Sequence, residues 1–228
     1  MARKTTALPQ VITNKTSSAS EQYRTLATNL SFLARDQHLK SILFTSPEGG
    51  AGKSTTVANV ASVLALQGLR VLCIDMDLRK PTIHKHFQLP NRFGVTNHIV
   101  SEAPFEDCIQ NVAAIDTLSV MTSGAIPPNP SEIINSKGMF AFIESLTTGD
   151  LANNFDIILV DAPPILVVGD AKSLATQLEA VVLVTRLNQT RKAEILISRQ
   201  ELTKVKANLL GVVLNCTHKS QHNYYYGL

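Results

Sequence analysis

The sequence of 228 residues contains no tryptophan, only three cysteines and 5% aromatic residues. Cys73, Cys108 and Cys216 lack C-x-x-C spacing, which argues against a zinc ribbon or a dithiol redox centre and fits structural thiols in a reducing compartment. No apolar run exceeds five residues (139–143 and 180–184). That is far short of the ~20 needed to cross a bilayer, and the N-terminus has no signal-peptide core, so a cytoplasmic location is expected. The formal net charge is only +3, with no basic patch interleaved with aromatics, so no nucleic-acid partner is implied. The first twenty residues carry Arg3, Lys4 and Lys15 but no acid. Residues 1–19 are therefore expected to be a flexible solvated arm, with contact to an anionic lipid surface as the alternative. What the chain does have is 44% apolar residues, enough for the core of one large α/β domain over residues 20–216, followed by a polar tail, 217–228.

The organising stretch is SPEGGAGKST (46–55), which follows an aliphatic run at 41–46. Gly49, Gly50 and Gly52 free the backbone around Ala51 to turn successive N–H groups onto a phosphate, and a helix opening at Lys53 adds the positive end of its dipole. In such a loop Lys53 pairs with β- and γ-phosphates and the Ser54 hydroxyl ligates Mg²⁺, with Thr55 continuing the turn. Val57, Val60, Ala61 and Leu64 recur at helical spacing, and Gly68 ends the helix. Pro47 stands where G-x-x-x-x-G-K-[ST] has its first glycine, so the match is to the variant G-G-x-G-K-[ST]-T.

Strand-like runs recur at residues 41–46, 70–75, 118–122, 156–161, 180–185 and 210–215, most aliphatic on both faces, with helical patterns between several of them. This predicts an α/β fold with a mainly parallel sheet covered by helices on both faces. A helix with Ser20 as N-cap is expected ahead of the first strand, and others at 96–100, 105–111, 136–147, 171–178 and 190–207. Pro127, Pro128 and Pro130 mark a rigid loop whose end starts a further helix.

Ligands of such sheets bind beyond the carboxyl ends of the strands, and acids lie there. VLCIDMDLRKP (71–81) ends a strand in Asp75 and Asp77, and IILVDAPP (157–164) ends another in Asp161. Asp75 and Asp77 are expected to project toward the phosphate loop if their strand neighbours the first. Asp161 fits the Walker B position that holds Mg²⁺. Each acid alone reads equally as a helix cap.

These three motifs together resemble the Walker A, A′ and B motifs of bacterial tyrosine kinases (BY-kinases), which share the P-loop fold of partition and division-site ATPases. The resemblance extends through NRFGVT (91–96), SGAIPPNPSE (123–132), VVGDA (167–171) and GVVLN (211–215), covering roughly residues 20–228. Partition-type ATPases carry a lysine where this chain has Glu48, which disfavours their nucleotide-sandwich dimer. Three of the four tyrosines, Tyr224, Tyr225 and Tyr226, cluster in the tail. The segment before them has no apolar period, and nine extended residues from Asn215 reach roughly 30 Å, enough for a neighbouring subunit's site.

The resemblance implies trans-autophosphorylation of that cluster in a homo-oligomer. It also implies ATP and Mg²⁺ as cofactors, a membrane adaptor of the polysaccharide co-polymerase type that recruits the kinase to the inner face of the membrane, a cognate tyrosine phosphatase, and a role in capsular or exopolysaccharide synthesis. A tyrosine near pKa 10 cannot be deprotonated beforehand by an aspartate near 3.9, a step uphill by about 8 kcal/mol. In a loose phosphoryl-transfer transition state a carboxylate need only orient the hydroxyl and take its proton late. That role is assigned to Asp75 or Asp77, favouring Asp75, with the other acid and Asp161 on the Mg²⁺ side. Arg79 and Arg186 remain open between structural and phosphate-side roles, and Asn215 between adenine contact and strand cap. His84 and His86, like His218 and His222, read as solvated loop residues. Glu21-x-x-Arg24-x-x-Ala27 resembles the family's E-x-x-R-x-x-R oligomerisation helix with alanine in place of the second arginine. A non-kinase ATPase switch and a pseudo-enzyme scaffold are the competing readings.

Overall fold

The computed structural model describes residues 8–216. Helices α1 (Gln10–Thr13) and α2 (Ser18–Asp36) precede β1 (Ser41–Thr45), α3 (Lys53–Leu66) and β2 (Val71–Asp75). Then come α4 (Ile83–Phe87), α5 (Val95–Ser101), α6 (Phe105–Cys108), β3 (Ile109–Val112), β4 (Ile115–Met121), α7 (Pro130–Ile134) and α8 (Lys137–Thr147). The chain continues through β5 (Ile157–Asp161), α9 (Asp170–Ala175), β6 (Ala180–Arg186), α10 (Lys192–Lys204) and β7 (Leu209–Asn215). The strands form one sheet in the order β3-β4-β2-β5-β1-β6-β7, parallel except for the β3–β4 pair.

β1, β2 and β5 are buried along their whole length because helices cover both faces. One core packs α2 and α3 on Ile42, Phe44, Cys73 and Leu159. The other packs α8, α9 and α10 on Leu43, Ile74, Val160 and Leu183. Helix α3 shows no apolar stripe because it is sandwiched between the sheet and α2, and residues from Thr56 through Ala65 are all buried.

The edges of the prediction shift in three places. The N-cap of α2 is Ser17, whose Oγ accepts from the Ser20 N–H, while Ser20 itself is buried and donates to the Asn14 carbonyl at 2.6 Å. Consequently the flexible arm expected over residues 1–19 is corrected for its second half. Val11 is 1% exposed, and its N–H donates to Asn59 Oδ1 of α3 at 3.1 Å. Residues 1–7, like the tail 217–228, lie outside the described residues. The helix expected over 105–111 stops at Cys108, because Ile109 to Val112 pair antiparallel with β4. A four-residue apolar pattern satisfies either period, and the neighbouring strand edge decided it.

Candidate functional site

The phosphate loop leaves β1 and enters α3 through Gly50 and Gly52, at φ of 84° and 86°. A Cβ on Gly52 would lie 2.0 Å from Asn215 Nδ2, so both the left-handed backbone and the close approach require glycine. The Asn215 Nδ2 donates to the Ala51 carbonyl at 3.1 Å, and Arg186 Nη1 donates to the Gly50 carbonyl at 3.3 Å. In this arrangement Asn215 ties the end of β7 to the phosphate loop.

Below the loop, Lys53 is 6% exposed and its Nζ donates to Asp161 Oδ1 at 2.5 Å. Asp161 is fully buried, and its Oδ2 has no hydrogen-bond partner among the described residues. β5 lies between β1 and β2, so the condition attached to the projection of Asp75 and Asp77 toward the loop, a β2 strand neighbouring the first, is not met. Asp75 is instead paired in register with Asp161. Asp75 is also fully buried, accepting from the N–H groups of Asp77 at 3.2 Å and of Thr82 and Ile83 at 2.9 Å each. Burial, then the Asp161 charge, push its carboxyl up to about 8 against the pull of those N–H groups and Lys53. Burial also raises Asp161, opposed by Lys53 and Ser54.

A cavity of about 580 Å³ opens above this cluster. Gly49, Gly50, Gly52, Lys53, Ser54 and Thr55 line it from the loop, and Asp77 from the segment after β2. Ala51 is buried and does not line it, and Asp75 and Asp161 lie beneath its wall. Arg79 lines it too while donating to Asp170 Oδ2 at 3.0 Å and Ser131 Oγ at 2.6 Å, so it ties the segment after β2 to the first turns of α7 and α9. Ser54, Asp77 and the unpartnered Asp161 oxygen offer the hard oxygen donors that Mg²⁺ takes. Among the described residues no cluster of three metal-ligating side chains exists, and Mg²⁺ commonly takes one or two carboxylates plus phosphates.

His86 departs from the expectation of a solvated loop. It is 8% exposed on α4 and lines the cavity, its pKa lowered to about 4 by burial first and then by Lys53, His84 and Lys85. Sequence gave no sign of this because the one-and-a-half-turn helix α4 has no periodic pattern long enough to read. Lys80, Lys85, Pro163, Pro164, Val167 and Val168 also line the cavity without having been singled out. Tyr224, Tyr225 and Tyr226 fall outside the described residues.

A family model described as an AAA domain matches residues 39–190. The chain is 40% identical over 206 residues to tyrosine-protein kinase YwqD of Bacillus subtilis (strain 168), covering 90% of this chain and 84% of that one. It is 38% identical over 229 residues to the putative tyrosine-protein kinase CapB of Staphylococcus aureus, covering 99% and 98%. The chain belongs to the bacterial tyrosine kinases.

Among solved structures, this kinase superposes on the chimerical protein CapA2B2 with a TM-score of 0.84 at 34% identity, covering 94% of each chain. The septum site-determining protein MinD of Pyrococcus horikoshii shares the fold alone, with a TM-score of 0.66 at 23% identity over 80% and 72% of the two chains. The kinase therefore has the P-loop nucleotide-binding fold expected from its motifs. In place of the second arginine of E-x-x-R-x-x-R, Ala27 is fully buried against the core, whereas Glu21 and Arg24 pair at 2.7 Å on the surface. Position 27 of this chain thus belongs to the core that includes α3, not to the exposed face that carries Glu21 and Arg24. Among the described residues no helix is long and apolar enough to cross a membrane.

Proposed function

We propose that this kinase transfers the γ-phosphoryl group of ATP to tyrosine, first to Tyr224, Tyr225 and Tyr226 of a neighbouring copy, and that a membrane adaptor recruits and controls it in capsular or exopolysaccharide synthesis. The observation that carries the reading is the buried Lys53–Asp161 pair beneath a phosphate loop, with Asp77 on the cavity wall beside it. In the nucleotide-bound state Lys53 exchanges Asp161 for the β- and γ-phosphate oxygens. The N–H groups of the loop and of the first turn of α3 hold the remaining charge. Ser54, Asp77 and Asp161 would hold Mg²⁺, which neutralises charge between the β- and γ-oxygens when bound.

The phenol oxygen bonds to the γ-phosphorus as the bond to the bridging oxygen breaks. ADP leaves with that electron pair, and the phenol proton passes late to a carboxylate. Asp77 lines the cavity, so in this conformation it is the acid within reach of a hydroxyl, and acting as base it would leave Mg²⁺ to Ser54 and Asp161. A role for Asp75 as base, the assignment favoured by sequence, requires the turn over residues 77–83 to open and release its N–H bonds. Support for the polysaccharide role comes from names among the relatives, including a putative tyrosine-protein kinase of a Klebsiella pneumoniae cps region. Support for an adaptor comes from the CapA2B2 chimera.

The test is phosphotyrosine mass spectrometry on the full chain with ATP and Mg²⁺, with and without the cytoplasmic segment of a candidate adaptor, against Lys53→Met. Phosphate on the tyrosine cluster that vanishes in the variant is the expected result. ADP release without phosphotyrosine under both conditions would instead establish an ATPase switch.

A further inference from the structure

The cavity extends well past the phosphate loop, and its chemistry changes as it does. Strand order places β7, with Asn215, on one side of the loop and β5 and β2, with Asp161 and Asp77, on the other. The acids mark the side of the transferring phosphoryl group, so the cavity walls beyond them face the acceptor. Two segments supply those walls. Residues 163–168 bring Pro163, Pro164, Val167 and Val168, and Val167 is 66% exposed at the mouth. The segment after β2 brings Lys80 and Lys85, neither of which makes an ion pair with any described residue.

Asp77 is the single acid among the lining residues, against Lys53, Arg79, Lys80 and Lys85. Lys53 belongs to the nucleotide and Arg79 to Asp170, which leaves two lysines over. An apolar wall of prolines and valines suits a phenol ring, and two uncommitted ammonium groups suit an anion beside it. The tail from Thr217 to Tyr226 contains no acid, but its three tyrosines are consecutive. The first transfer therefore meets no flanking anion, whereas a later one on the adjacent tyrosine has a phosphotyrosine neighbour carrying about −1.5 to −2 charge.

We propose that Lys80 and Lys85, with the proline and valine wall of residues 163–168, form an acceptor groove that takes a tyrosine flanked by an anionic residue, phosphotyrosine above all, so that one phosphorylation of the cluster promotes the next. This rests on the tyrosine-kinase reading above. The groove deepens it by naming the substrate class and the order of events: a slow first transfer and faster later ones.

The test is fluorescence anisotropy with labelled peptides of sequence 217–228 on the full chain, loaded with ADP and Mg²⁺ and carrying Tyr224→Phe, Tyr225→Phe and Tyr226→Phe so that its own tail does not compete as acceptor. Each peptide keeps one acceptor tyrosine, flanked by phenylalanine, glutamate or phosphotyrosine. Tightening on the order of tenfold is expected from the phenylalanine to the phosphotyrosine arm, with glutamate between them. Lys80→Gln with Lys85→Gln should erase the difference, while Lys204→Gln on the far surface of α10 should preserve it. Equal affinity across the three arms, or a preference that survives the double substitution, overturns the groove. A preference that is present while ATP yields no transfer to any bound tyrosine supports the groove as a binding site and overturns the kinase reading instead.

Discussion

On the β5–β2 side of the phosphate loop, Lys53 and Asp161 are buried and bonded, with the buried Asp75 in register beside Asp161, and on the β6–β7 side the same loop is held by one hydrogen bond each from Asn215 and Arg186. Charge on the first side is desolvated, so removing Lys53 or Asp161 leaves the other without compensation. Contacts on the second side are partly exposed and individually modest. The loop is thus anchored where phosphoryl chemistry requires fixed charges and adjustable where β7 runs on into the tyrosine tail.

The sharpest way to break this contrast is Asp161→Ala, which strands Lys53 in the core. Denaturant unfolding should show a loss of about 3–5 kcal/mol, and a loss as small as that of a surface substitution would show that the pair is solvated. pH should expose the same side. The Asp75 carboxyl is raised in the folded state to about 8, so its contribution to stability is complete below about pH 4. That contribution drains away as pH rises through about 8. The melting temperature of the nucleotide-free protein should therefore fall between pH 6 and 9, with a shallower slope in Asp75→Asn; parallel slopes would place the ionisation elsewhere.

Lys53→Met should lower phosphoryl transfer by about 10²–10³-fold, read from single-turnover rates at saturating ATP. On the opposite side, Gly52→Ala pushes a Cβ onto Asn215 and strains a left-handed residue, for about 1–3 kcal/mol. Asn215→Ala should relieve only the steric part, so a double-mutant cycle should be non-additive, and strict additivity would separate the two residues. The smallest effect is Asn215→Ala alone, about 0.5–1.5 kcal/mol by thermal melting.

Much of the fold was legible locally. The six aliphatic runs appear as the six parallel strands, and Val57, Val60, Ala61 and Leu64 lie buried on α3 as their spacing requires. Of the candidate site, Gly49, Gly50, Gly52, Lys53, Ser54, Thr55 and Asp77 line one cavity. Less legible were short segments whose pattern fits two periods. Residues 109–112 became a strand because the β4 edge was available, and Val11 packed because α3 presented the buried Asn59. His86 was misread because its burial comes with the packing of α4 on α3, a contact between segments distant in the chain.

The amino-acid order by itself determined the elements that local sterics and periodicity control: a glycine-rich turn able to face a phosphate, strands aliphatic on both faces, acids at their carboxyl ends, and the clustered tyrosines. Tertiary structure decided which of these meet. Insertion of β5 between β1 and β2 set Asp75 against Asp161 instead of against the loop, and the end of β7 placed Asn215 on Gly52. Strand order is a competition among long-range pairings of similar aliphatic runs, settled by packing against helices, and no short window of sequence contains it.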